Sequence, residues 1–419
     1  MPVDDLGNVA ILPGLVNAHT HLEFSDLPEP IGTPGMPFVD WIRLVIDHFR
    51  QGQQTSPQTI RRGLQESFRA GTTTLGEIAQ PGWSSEPFED AGLDTTVFLE
   101  LIAPTADRIP PLLELAPRHV RSRSSAGPCA EGDSPIFASR KWGQSPSRSL
   151  TQEGDSPIFA ARKSGQSPSG STSTWHPGLG PHAPYSVLPE LFNAAVSLSA
   201  ASRVPMAFHL AESREELELL RSGGGPFRQR FEELGTCDPA LFIPGRRPLD
   251  YLRQLAEAHR ALVIHGNYLD DEEIAFLAER AERMAVVYCP RTHAFFQHDL
   301  YPLEQMLAAG AVVALGTDSR ASSPDLSVLA EMRTVAKRHP DVAGDVVLQL
   351  GTLNAARALG RAAEIGSLEP GKHANLAVVA LPPHDAADPH QLLLDGNEPV
   401  VATWYRGSPV SGSADPPTM

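Results

Sequence analysis

Cysteine is almost missing. Cys129, Cys237 and Cys289 are the only three, scattered without the spacing of a disulfide framework. Positive charge is short as well, with 34 lysines and arginines against 50 aspartates and glutamates and a net charge of -16. That deficit argues against nucleic acid as a partner and for a soluble protein. No apolar run approaches the ~20 residues that cross a bilayer. Met1-Pro-Val-Asp-Asp5 lacks the basic start and apolar stretch of an export signal. The expectation is therefore a cytoplasmic protein, with no membrane partner. Hydrophobic residues still make up 41% of the chain, enough to bury a large core.

What is present follows a rhythm. Ile11-Leu-Pro-Gly-Leu-Val-Asn-Ala-His19-Thr-His21 reads as a buried strand ending in His-x-His. Pro37 to Arg50 has apolar residues at helical spacing, and a second helix covers Thr59 to Ala70, closing at Gly71. Thr72 to Ile78 and Thr95 to Ile102 are rich in β-branched residues and read as strands. Residues 123 to 174 interrupt this pattern. Glu131-Gly-Asp-Ser-Pro-Ile-Phe-Ala138 recurs there as Glu153 to Ala160, in a Ser-, Gly- and Pro-rich setting expected to be a disordered insertion. Two polar copies are too few to stack as a solenoid.

Alternation then resumes. Strands end at His182, His209, His265, Cys289 and Asp318, and helical sequence follows each. Counting from Ile11 there are eight such units, the pattern of a (β/α)8 barrel in the α/β class. The expected division is a remnant of a β segment at 1–10, the barrel at 11–362 and a small β appendage at 363–419. Gly366 to Ala380 and Val400 to Gly407 supply the short turn-linked strands of that appendage.

Polar residues gather where barrel strands end. His19 and His21 close strand one, His182 strand four, His209 strand five, His265 strand six and Asp318 strand eight. Any one histidine has an ordinary structural explanation. Strand ends in a (β/α)8 barrel converge on one face, however, and five histidines with an aspartate on that rim point to a site. Three imidazoles and a carboxylate suit a catalytic ion, Zn or Fe(II), which lowers the pKa of its water to roughly 7. Glu212, three residues after His209, can stand beside such an ion and shuttle protons. Glu215 and Glu216 read as first-turn residues favoured by the helix dipole.

Pro13-Gly-Leu-Val-Asn-Ala-His-Thr-His21, His182-Ala-Pro-Tyr, His209-Leu-Ala-Glu212, His265-Gly, Cys289-Pro and Gly316-Thr-Asp318-Ser, in this order, resemble the amidohydrolase superfamily. They are most similar to its mononuclear branch, which includes cytosine, guanine and adenosine-type deaminases and triazine hydrolases. The resemblance implies His19, His21, His209 and Asp318 as metal ligands, and Glu212, His265 and Asp318 as catalytic groups. One ion is expected, because strand four ends in His182-Ala-Pro without the lysine of binuclear relatives.

The resemblance also implies release of an exocyclic amine from a small heterocycle as ammonia. Leu22-Glu-Phe-Ser25, Phe38-Val-Asp-Trp41 and Cys289-Pro-Arg-Thr-His293 resemble the subgroup of aminodeoxyfutalosine deaminases, whose adenine-nucleoside substrate carries a benzoate. His182, Trp41 and Arg291 are the candidate substrate-binding residues, Arg291 for the carboxylate and Arg320 as a second choice. Competing readings are hydrolysis of a cyclic amide or triazine at the same site, and a non-catalytic metal-binding barrel. A homodimer is allowed. Family members carry several strands ahead of the Pro-Gly segment, whereas only about ten residues precede Pro13. Either the start is assigned too late in the gene or the chain is truncated, and if truncated, the strands around Leu376 to Tyr405 are expected to lack partners and expose edges.

Overall fold

The computed structural model describes residues 5–50, 56–89, 91–122, 175–235 and 238–409. The duplicated segment, Cys129 and Cys237 lie outside them. Two sheets organise the described chain. The larger runs β2 (Leu15–His21), β3 (Thr72–Ala79), β4 (Asp94–Leu101), β5 (Trp175–Pro181), β6 (Pro205–Leu210), β7 (Arg260–His265), β8 (Met284–Tyr288) and β9 (Val313–Leu315), all parallel. A short β10 (Asp318–Ser319) continues from β9 and pairs in parallel with β2, Asp318 opposite Thr20. β9 and β10 thus share one position, bonded on one side to β8 and on the other to β2. The sheet closes as the (β/α)8 barrel.

The strands read as apolar runs because both faces are covered. β3 and β4 are buried at every residue. Val16, Ile78, Phe98, Leu262 and Val287 fill the barrel interior, while a larger core lies between the strands and the helices outside. Helices start where the sequence supplies caps. The Ser213 hydroxyl accepts the Glu216 N–H, and Asp270 and Glu273 cap each other reciprocally at the helix Asp271–Ala278.

The smaller sheet is antiparallel, in the order β1 (Val9–Pro13), β11 (Leu376–Ala380), β12 (Val400–Tyr405), β13 (Ser408–Pro409). Two expectations change here. Ile11 to Pro13 belong to this sheet and not to the first barrel strand, and the C-terminal strands do have a partner, Val9–Pro13. Gly14 makes the switch between sheets. Its N–H donates to Asn375 O at 2.7 Å, and a Cβ there would lie 2.3 Å from Thr73 Oγ1. Buried Asp94, at the start of β4, ties the small sheet to the barrel. It accepts from Tyr405 Oη at 2.8 Å and pairs with Arg361 at 3.1 Å and Arg406 at 3.2 Å.

Among the described residues no helix is long and apolar enough to cross a membrane. Cys289 is free and buried.

Candidate metal centre and active site

Parallel strands bring their C-terminal ends to one rim, so His19, His21, His209, His265 and Asp318 meet there although up to about three hundred positions separate them. His19 and His21 sit side by side because residues two apart on β2 share a face. Their rings lie 4.9 Å apart, and His19 is 4.9 Å from His209 and 5.8 Å from His265. Asp318 Oδ1 is 3.7 Å from His19 Nε2 and 3.9 Å from His21 Nε2.

Three overlapping groups have donor atoms within 4.8 Å of one another: His19 with His21 and Asp318, His19 with His209 and His265, and Glu212 with His265 and Asp318. His19 belongs to two of them and is 1% exposed, yet neither ring nitrogen has a hydrogen-bond partner. A buried imidazole in that state calls for a ligand of another kind. Imidazole nitrogens with a carboxylate suit a divalent metal ion.

Electrostatics favour lone pairs over protons on these rings. Burial first, then the neighbouring imidazoles, hold His19 and His182 well below the usual histidine value. Burial does the same to His21 and His265 and lowers His209. Hydrogen bonds set which nitrogen faces inward. His209 Nδ1 donates to His182 O at 2.9 Å, which leaves Nε2 as its lone-pair donor.

The rim is held in unusual backbone. Ala211, His265 and Asp318 have φ of 54°, 68° and 56°, a left-handed conformation that costs non-glycine residues roughly 1–2 kcal/mol each. Neighbours enforce it. Tyr301 Oη donates to His265 O at 2.9 Å, Ser322 Oγ donates to Asp318 Oδ2 at 3.2 Å, and the Asn17 side chain bonds Thr317 on both its hydroxyl and its N–H.

Glu212 is 5% exposed, with Oε1 3.3 Å from His265 Nε2. Burial first, then Asp318, push its carboxyl well above the usual carboxylate value. Glu216 is not the simple first-turn residue that its position suggests. Fully buried, it accepts the Ala211 N–H at 2.8 Å and the Glu212 N–H at 2.9 Å, clamping the turn that presents Glu212. Spacing alone does not betray that role, because a first-turn glutamate looks the same whether its side chain faces water or its own backbone.

The remaining candidates divide. The His182 ring lies 4.9 Å from His209, its Nδ1 bonded to Ser186 Oγ at 2.6 Å. Trp41 donates its indole N–H to Ala321 O at 3.3 Å, on the loop leaving Asp318. Arg291 is otherwise engaged. Its guanidinium meets Glu331 Oε1 at 2.5 Å and Asp325 Oδ1 at 2.8 Å, and donates to Asp325 O at 2.9 Å. Arg320 is likewise spent on Glu66 at 2.7 Å and Leu27 O at 2.8 Å. The guanidiniums of both candidates for a substrate carboxylate are thus held by internal partners. Their partners lie on distant elements and carry no local signal.

Known proteins share this architecture. A 5-methylthioadenosine/S-adenosylhomocysteine deaminase of Moorella thermoacetica is 29% identical over 421 residues, covering 97% of this chain and 81% of the relative. The crystal structure of Helicobacter pylori aminofutalosine deaminase in complex with methylthio-coformycin superposes with a TM-score of 0.74 at 20% identity, over 96% of this chain and 87% of that one. An adenosine deaminase from Xanthomonas campestris with bound zinc gives 0.68 at 23% identity, over 96% and 80%. The amidohydrolase family model matches residues 10–90 and 144–412. With that match over most of its length, and with a barrel whose strand ends assemble the histidine and aspartate donors, the chain belongs to the amidohydrolase family.

Proposed function

We propose that this protein is a metal-dependent aminohydrolase that removes the exocyclic amine of an adenine nucleoside as ammonia. One observation carries the reading: the imidazole and carboxylate donors of three strand ends meet beside the Glu212–His265 pair. The deaminase names of the relatives support it. In this reading His19, His21, His209 and Asp318 hold one divalent ion, zinc or ferrous iron. When bound, that ion supplies a Lewis acid that brings the pKa of water to about 7.

The chain's own groups then move the protons. Glu212, whose carboxyl burial pushes well above the usual carboxylate value, gives its proton to the ring nitrogen beside the carbon that bears the amine. Water's oxygen adds to that carbon and His265 stabilises it. One proton of the water restores Glu212, the other passes through Asp318 to the departing amine, and the carbon is left as a carbonyl. A cytoplasmic setting goes with this reading.

Arg291 and Arg320 are both committed to internal partners. This favours a nucleoside with an uncharged 5′ substituent, of the 5-methylthioadenosine kind, over one carrying a benzoate. The test is ammonia release and the accompanying ultraviolet change across 5-methylthioadenosine, S-adenosylhomocysteine, adenosine, aminodeoxyfutalosine, guanine, cytosine and a triazine. Turnover is expected with the adenine nucleosides, 5-methylthioadenosine ahead of aminodeoxyfutalosine. Turnover of the triazine alone, or of none of the panel by the zinc-loaded protein, sinks the reading.

A further inference from the structure

Behind His21, on the side away from Asp318, three glutamates are buried together. Glu77 stands near the end of β3, Glu100 near the end of β4 and Glu23 just past the end of β2, at 1%, 2% and 9% exposure. Their attachments differ. Glu77 spends both carboxyl oxygens on the Leu22 N–H, at 3.1 Å each, and so grips the backbone next to His21. Glu100 accepts from Gln80 Nε2. Glu23 Oε1 lies 3.5 Å from the same Gln80 nitrogen and 4.0 Å from His21 Nδ1. Of the three, Glu23 is the one paired with an imidazole.

The two nitrogens of His21 are thereby divided. Nε2 faces Asp318 and Nδ1 faces Glu23. His209 has a closer counterpart, its Nδ1 hydrogen-bonded to the His182 carbonyl at 2.9 Å, while Glu23 faces His21 Nδ1 across 4.0 Å. An acceptor on Nδ1 fixes both tautomer and ring orientation, and it raises the basicity of the opposite nitrogen. Glu77 and Glu100 are unsuited to that task, since Glu77 turns both oxygens to the Leu22 N–H and Glu100 is turned to Gln80.

We propose that Glu23 is a positioning residue for His21: its side chain faces the Nδ1 side of the ring so that Nε2 is presented to the ion. The proposal rests on the reading of His21 as a ligand. It assigns Glu23 no contact with substrate. Gln80, bridging Glu23 and Glu100, keeps the carboxylate from swinging away.

The experiment measures zinc affinity of the metal-free full-length protein by competition with a chromophoric chelator. Wild type, Glu23→Gln, Glu23→Ala and Glu100→Gln are compared, with circular dichroism showing that each is folded. Both Glu23 variants are expected to bind zinc about 10–100-fold more weakly, while Glu100→Gln stays within about twofold of wild type. Should Glu23→Ala fail to fold, the shape-conserving Glu23→Gln decides. Unchanged zinc affinity in a folded Glu23→Gln overturns the proposal, and so does an equal loss in Glu100→Gln, which marks a general disturbance of the buried acids. A wild-type chain that binds no zinc overturns the ligand reading itself, and that result is distinct from either of the others.

Discussion

His265 Nε2 lies 3.3 Å from Glu212 Oε1, with both side chains buried against the metal-donor cluster. The two groups face each other at the place where the proposed reaction needs a proton moved. Glu212→Gln keeps the shape and removes the titrating carboxyl. Turnover is expected to fall by about 10²–10⁴-fold with the metal content unchanged. Metal analysis beside steady-state kinetics checks this, and undiminished turnover in a metal-replete variant rules out the role.

Glu216→Ala strips the acceptor from the Ala211 and Glu212 N–H groups and leaves both buried. Each orphaned donor costs about 1–3 kcal/mol. Loosening the turn that carries Glu212 is expected to lower kcat by up to about 100-fold, with KM little changed. Thermal unfolding and kinetics on the same preparation separate the two effects.

Arg291→Ala tests a structural role against substrate recognition. Glu331 has a fully buried side chain and keeps only the Arg291 backbone N–H, at 2.9 Å, once the guanidinium is gone. A destabilisation of about 3 kcal/mol is expected, with KM for the adenine nucleosides unchanged. A selective rise in KM for a carboxylate-bearing substrate, in a variant of normal stability, contradicts the assignment.

Stability is expected to fall with rising pH through Glu100. Burial, then the charge of Glu23, raise its carboxyl from 4.5 to about 8. Between those values the folded chain keeps a proton that the unfolded chain has released. The stabilisation is complete below about 4.5 and is lost as the pH climbs through about 8. Within that window the slope reaches at most about 1.4 kcal/mol per pH unit. Urea unfolding midpoints from about pH 5 to about pH 9 should show a shallower decline in Glu100→Gln than in wild type.

Chelation should abolish ammonia release and lower the melting temperature together. The buried donors around His19 are left without the ligand that satisfies them, and a ligand bound only by the folded state stabilises it by mass action. Titrating zinc back should raise the melting temperature progressively, as calorimetry would show.

The eight-unit rhythm was legible because buried parallel strands are written as apolar runs, and His209, His265 and Asp318 stood out as polar residues ending such runs. The boundary at Gly14 was not legible. Ile11-Leu-Pro and Leu15-Val form one apolar stretch, and only the pairing of Val9–Pro13 with Leu376–Ala380 divides it between sheets. Arg291 and Glu216 escaped for a related reason. A side chain's partner is a fact of tertiary structure, and Glu331 stands forty positions beyond Arg291 with no motif to connect them. Glu77 and Glu100 are single acids inside buried strands, and no spacing in the sequence marks them.

The pairing of β1 with β11 also orders events in time. Asn8 bonds to Leu381 across 373 positions of sequence, so Val9–Pro13 must wait for a partner made hundreds of residues later. At about 5–20 residues per second that wait lasts on the order of tens of seconds on the ribosome. The barrel strands can close meanwhile, but the small sheet cannot begin until Leu376–Ala380 emerges. Through that interval Val9–Pro13 presents an unpaired edge, with Ile11 still half exposed in the finished fold. Nascent chains stalled before Leu376 should therefore be the species that chaperones hold.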